Sequence, residues 1–78
     1  MMYELITIDV SSDLPKGLGA KRYNTHPRIG EWIEMDINEK GTMFEVVMVA
    51  HSDSGAGSDI YVRKLGLTSQ AVKTLCNK

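Results

Sequence analysis

Apolar and polar residues alternate along four stretches of the chain, the pattern of β-strands that bury one face. The four predicted strands are residues 4–10, 28–37, 42–50 and 60–65. In the first of them, the apolar residues Ile6, Ile8 and Val10 share one face. We expect this face to be buried, because a strand in a small sheet turns its apolar side towards the core.

The second and third predicted strands are joined by Asn38-Glu39-Lys40-Gly41, a turn sequence with glycine where a positive φ is expected. We therefore predict an antiparallel hairpin. In the second strand, Ile33, Met35 and Ile37 should face inward, and the acidic residues between them should face solvent.

The third predicted strand is apolar on both faces. One face carries four apolar residues: Phe44, Val46, Met48 and Ala50. Val47 and Val49 make the opposite face apolar as well. Such a strand is either covered on both sides within the fold or contacts a partner through its outer face.

Residues 11–29 contain two prolines and two glycines and show no sustained period, so we predict a long loop. Connections of this length are usually functional, disordered or home to a short turn of helix. Near the C-terminus, Leu67, Ala71 and Leu75 recur every four residues, which predicts a short helix over residues 67–76. A fifth strand over the same residues is the alternative.

The 78 residues suffice for one small domain, residues 1–78. The elements predict a mainly β fold, either a small barrel or a curved antiparallel sheet of 4–5 strands, with a long first loop and a short C-terminal helix. Closure or strong curvature is expected because an open sheet would leave both edges exposed.

The order of elements also resembles a known group of folds. A strand and a long loop are followed by Pro-Arg-Ile-Gly-Glu-Trp-Ile-Glu, a hairpin, and Phe-Glu-Val-Val-Met-Val. This order resembles SH3-like small β-barrels, which bind peptides, RNA or DNA or serve as assembly pieces, so the resemblance implies a fold without fixing a function. The chain also resembles short uncharacterised proteins of bacterial mobile elements, such as integron gene cassettes.

The composition indicates in which cellular compartment the protein occurs and how so small a fold can be stabilised. Cys76 is the only cysteine, so no disulfide forms within the chain, and we expect a cytoplasmic protein. We expect no membrane span, because no apolar run approaches about 20 residues. His26, His51 and Cys76 show no metal-ligand spacing, so we expect neither a metal nor a cofactor. A core this small then gains most from self-association.

These patterns predict a non-enzymatic protein-interaction module, a homo-oligomer or one that binds another protein. The predicted interface residues are Trp32, Val47 and Val49. Trp32 falls in phase with the outward Glu34 and Asp36, which indicates an exposed aromatic anchor. Alternatively, the strand twists near Gly30 and folds the indole over the end of the barrel.

A second hypothesis concerns nucleic acid. Residues 15–28 carry four basic residues and no acidic one, although the net charge of the chain is −1. Cations and rings that could contact phosphates and unpaired bases are Lys21, Arg22, Tyr23, His26 and Arg28. So few cations predict only weak binding of single strands. The favoured alternative is a solvated loop with Tyr23 packed over the core.

Catalysis is the least favoured reading. His51 could pair with Asp53 or Asp59, and the nearby serines could serve as nucleophiles, but all lie on one glycine-rich loop that would hold them poorly. In the same loop, Gly55-Ala56-Gly57-Ser58-Asp59 resembles one turn of a calcium-binding repeat, which needs stacked copies to complete its oxygen shell. We therefore expect a mobile loop without metal.

Overall fold

Five strands form one curled sheet, a half-barrel, in the computed structural model, which describes residues 2–55 and 57–76. The elements are β1 Tyr3–Asp9, β2 Lys16–Tyr23, β3 Trp32–Ile37, β4 Lys40–His51, β5 Ser58–Leu67 and the helix α1 Thr68–Cys76. The strand order is β2-β1-β5-β4-β3. The mainly β, barrel-like fold with a short C-terminal helix is confirmed. The sheet is mixed, however, because β1 and β5 are parallel.

An edge strand occupies much of the stretch predicted to be loop. β2 pairs antiparallel with β1, from Tyr3 opposite Tyr23 to Asp9 opposite Lys16. The strand could not be recognised from its sequence, because two glycines and three cations interrupt the alternation of apolar and polar residues. Of its side chains, Leu18 and Tyr23 pack against the core. The prediction of one loop over residues 11–29 is therefore wrong, and two shorter connections flank β2.

The β3–β4 hairpin is confirmed, but its turn differs from the prediction. The residues with positive φ are Asn38 at 52° and Glu39 at 66°, as in a two-residue type I′ turn. Gly41 instead pairs with Asp36 inside the ladder. A side chain at Gly41 would meet the carboxylate of Glu34, which accepts a hydrogen bond of 2.8 Å from the hydroxyl of Thr68.

The inner face of the sheet holds the core. Its buried apolar cluster comprises Leu5, Met35, Phe44, Val46, Ile60 and Val62. Ile33 and Ile37 are partly buried against this cluster, so the predicted phase of the second strand is confirmed. In α1, Ala71 is buried, whereas Leu75 is exposed.

The phase of β1 is opposite to the prediction. Leu5 and Thr7 are buried, whereas Ile6 is 46% exposed and Ile8 is only half-buried. Thr7 is accommodated in the core because its hydroxyl lies 2.9 Å from the hydroxyl of Tyr23 and forms a hydrogen bond with it. The expectation of a buried Ile6 and Ile8 is therefore wrong, and their side chains lie on the outer face.

A β-bulge changes the phase of β4. The register against β5 shifts between Val46 and Met48, so Val47 has no partner in the ladder. Val46 is buried, Met48 is 55% exposed, and Val49 packs against the core. The predictions that Met48 faces inward and Val49 outward are both wrong, because one extra residue reverses the alternation beyond it.

This bulge gives a testable difference between neighbouring residues. Val49→Ala should lower the free energy of unfolding by about 1–2 kcal/mol, because it removes core contacts. Met48→Ala should change it by no more than about 0.5 kcal/mol in the monomer, as at other surface positions. Urea unfolding at a concentration where the chain is monomeric measures both. A larger loss for Met48→Ala would contradict the bulge.

Candidate interaction surface

Apolar side chains form a row across the outer face of the three central strands. Ile8 lies opposite Tyr61 in the β1–β5 ladder, and Tyr61 lies opposite Met48 in the β5–β4 ladder. Ile6 stands two residues before Ile8 and therefore on the same face. We call these four residues, Ile6, Ile8, Met48 and Tyr61, the outer-face row. Adjacent strands are about 4.8 Å apart, so the row crosses about 10 Å of sheet.

Ion pairs border this row on both sides. Arg63 of β5 contacts Glu45 of β4, its partner in the ladder. On the other side, Arg22 of β2 lies 3.9 Å from Glu4 of β1, again its partner in the ladder. Exposed pairs of this kind contribute little to stability. Because each pair contains both signs, the outer-face row has a positive and a negative group on each of its two sides.

The three predicted interface residues do not lie on one surface of the sheet. Val49 faces the core, and Val47 is half-buried in the bulge. Trp32 lies opposite Glu45, so it is on the outer face, as its phase predicts, but it is half-buried. Its side chain lines an open cleft of about 410 Å³ together with Tyr23. A reading of strict alternation could not find the outer-face row, because it places Ile6, Ile8 and Met48 inside.

The residues proposed to contact nucleic acid do not form one cationic surface. Lys21 lies opposite Leu5 on the inner face of the ladder, whereas the next residue, Arg22, points to the outer face, where it pairs with Glu4. The guanidinium of Arg28 lies 3.8 Å from the carboxylate of Glu31. Glu31 also accepts a hydrogen bond of 2.8 Å from the backbone N–H of Arg28. Acidic groups thus offset two of the four cations.

Tyr23 and His26, the two rings among the residues proposed to bind nucleic acid, make contacts within the fold. Tyr23 packs against the core and is hydrogen-bonded to Thr7. Burial raises the pKa of the Tyr23 phenol, although the Thr7 hydrogen bond acts in the opposite direction. His26 contacts the ring of Tyr3 edge-on, with 5.6 Å between the ring centroids. A ring held in these contacts is a poor platform for stacking an unpaired base.

We therefore expect weak binding of single-stranded RNA and DNA at 150 mM salt. Four phosphate contacts would give a slope of about −2.8 in log affinity against log salt, and two contacts about −1.4. Fluorescence anisotropy across a salt series would measure it, and the slope should be closer to −1.4. Submicromolar affinity that is lost in Arg22→Ala and Arg28→Ala variants would make nucleic-acid binding the leading function.

No helix in the described residues is long and apolar enough to cross a membrane. Family models, curated protein sequences and solved structures contain no match to this chain.

Proposed function

We propose that this chain is a non-enzymatic interaction module that self-associates through the outer face of its sheet. The observation that carries the proposal is the outer-face row, in which Ile6 and Met48 are exposed at the middle of the sheet. Removing apolar surface from water stabilises a complex by about 25 cal/mol per Å². Methionine and tyrosine are also enriched at the centres of protein interfaces.

A second copy of the chain is the partner that these charges fit best. Each bordering ion pair contributes one positive and one negative group. In a two-fold dimer the same patch meets itself, so Glu45 of one copy can approach Arg63 or Arg22 of the other without an excess of either sign. The net charge of −1 also causes little repulsion between copies.

The small core supports the same conclusion. A domain of this size buries a low fraction of its surface, so its folding free energy is small. Any partner that binds the folded chain but not the unfolded chain stabilises the fold by mass action. A dimer formed through the outer-face row would add to the stability of a six-residue core cluster on the opposite face.

A reducing compartment is consistent with this function. Cys76 is a free, exposed thiol in α1. Exposed thiols persist where glutathione and thioredoxin keep them reduced. We propose a cytoplasmic location on this ground.

Sedimentation equilibrium of the full chain between about 1 and 100 µM tests self-association, since a dimer with a dissociation constant in this range is only partly formed at these concentrations. We expect the apparent mass to rise above the 8.7 kDa of the monomer as concentration increases. A mass of 8.7 kDa at every concentration would reject self-association.

A further inference from the structure

Two histidines that are far apart in the sequence lie side by side. His26 is in the connection between β2 and β3, and His51 ends β4. Their ring centroids are 5.7 Å apart, and the ring planes are inclined by 32°. Both line an open cleft of about 690 Å³, which also contacts Ile29 and Val49. A spacing of 25 residues gives no sequence motif, so only the fold reveals the pair.

The protonation of His26 follows from its hydrogen bond. Its Nδ1 lies 2.9 Å from the carbonyl oxygen of Pro27. A carbonyl only accepts, so Nδ1 carries the proton, and the neutral ring has its lone pair on Nε2. This Nε2 is buried and has no hydrogen-bond partner among the described residues. A buried acceptor without a partner is unfavourable, so a group that binds the lone pair would be stabilised there.

His51 has a matching arrangement. Its Nδ1 lies 2.8 Å from the hydroxyl oxygen of Ser58. When Nδ1 donates to that oxygen, the lone pair of His51 is also on Nε2. Histidines that bind metals characteristically donate their other ring N–H to an oxygen, which fixes the tautomer and the orientation of the ring. His26 therefore has the outer hydrogen bond that a metal ligand uses, and His51 has it in the tautomer that donates to Ser58.

We propose that His26 and His51 together bind one late first-row divalent ion, of the class of Cu²⁺, Ni²⁺ and Zn²⁺, through their Nε2 atoms. An Nε2–metal distance of about 2.0–2.1 Å places each ring centroid about 3.2 Å from the ion, and a tetrahedral angle then separates the centroids by about 5.2 Å. The observed 5.7 Å is longer by about 0.5 Å, so binding requires side-chain rotations that turn both Nε2 atoms, including the buried Nε2 of His26, towards the ion.

The surroundings select the kind of ion. Imidazole suits copper, nickel and zinc, whereas calcium and magnesium need oxygen ligands. The cleft is lined by no carboxylate among the described residues, and Arg28 at its edge is paired with Glu31. The described residues also hold no group of three or more His, Cys, Asp or Glu side chains placed to bind a metal. Water therefore fills the remaining positions, and the bound ion exchanges.

Isothermal titration with Cu²⁺ tests the site, because copper binds most tightly in the series. The protein is the full chain without a histidine tag, carrying Cys76→Ser so that the exposed thiol does not compete. We expect one ion per chain. His26→Gln and His51→Gln should each weaken binding by at least about tenfold, and Ser58→Ala by about tenfold, as for other outer-sphere partners.

Ser52→Ala is the matched control. Ser52 is in the same loop but bonds to Ser54, so copper binding should not change. Because a histidine variant can lose its fold, NMR of the unmutated ring signals gives a second measurement. Substoichiometric Cu²⁺ should broaden the His26 and His51 signals first. A copper affinity in either histidine variant equal to that of the parent protein, or broadening centred elsewhere, would overturn the proposal.

Discussion

Met48→Lys should convert the self-associated protein into a monomer. Met48 is at one end of the outer-face row and is 55% exposed in the single chain. In an interface through this row, the new ammonium group would be buried without a partner charge, which costs about 3–5 kcal/mol. The association constant should fall by at least about 100-fold, because each 1.4 kcal/mol is a factor of ten. Sedimentation equilibrium measures the change.

Leu14→Lys is the control for this experiment. Leu14 is an apolar residue in the connection between β1 and β2, is 78% exposed, and lies outside the outer-face row. The substitution adds the same charge, so it tests whether charge alone changes the association. We expect the mass of Leu14→Lys to match that of the unmodified chain.

Ile6→Lys tests the other end of the row. It is on β1, two strands away from Met48, and it too is exposed. Circular dichroism should show a folded protein in each variant, since both side chains face away from the core. If Met48→Lys and Ile6→Lys both leave the mass unchanged, the interface lies elsewhere on the molecule.

Local features of the fold could be predicted from the sequence, and non-local ones could not. The β3–β4 hairpin depends on a turn and on the alternation in its two arms, both of which are local. A short helix over residues 67–76 is likewise predicted, although Leu67 ends β5 and Leu75 is exposed, so only Ala71 of the predicted apolar stripe is buried. The parallel pairing of β1 with β5 joins residues more than 50 positions apart, and no local pattern encodes it.

The errors at the candidate surface have two physical causes. In β1, the hydrogen bond between Thr7 and Tyr23 lets a polar residue occupy the inner face, so hydrophobicity alone gives the wrong phase. In β4, the bulge at Val47 reverses the phase partway along an apolar run. Because apolar residues stand on both sides of that run, the sequence contains no signal of where the reversal occurs.

The pair of His26 and His51 could not be predicted from the sequence either. A metal site is recognisable in a sequence when its ligands follow a short spacing. His26 and His51 meet only because the connection after β2 returns past the end of β4. The hydrogen bonds to Pro27 and Ser58 that orient the rings are also properties of the fold.

Phe44→Ala should have the largest effect on folding. Phe44 is 1% exposed and belongs to the buried cluster of the inner face. Truncating a buried phenylalanine costs about 3–5 kcal/mol, from lost burial and from the cavity that remains. Small domains are stable by only about 5 kcal/mol, so about 0–2 kcal/mol should remain and the variant should unfold at a much lower urea concentration.

Urea unfolding followed by circular dichroism measures this loss, in the Met48→Lys background so that only the folding of the monomer contributes. Met43→Ala is the matched control, because Met43 precedes Phe44 on β4 but is half-buried and lies opposite Glu34 and Gly66. Its loss should be below about 1.5 kcal/mol, since its side chain leaves no closed cavity. Equal losses for the two variants would contradict the assignment of inner and outer faces, and with it the exposure of the outer-face row on which the proposed self-association depends.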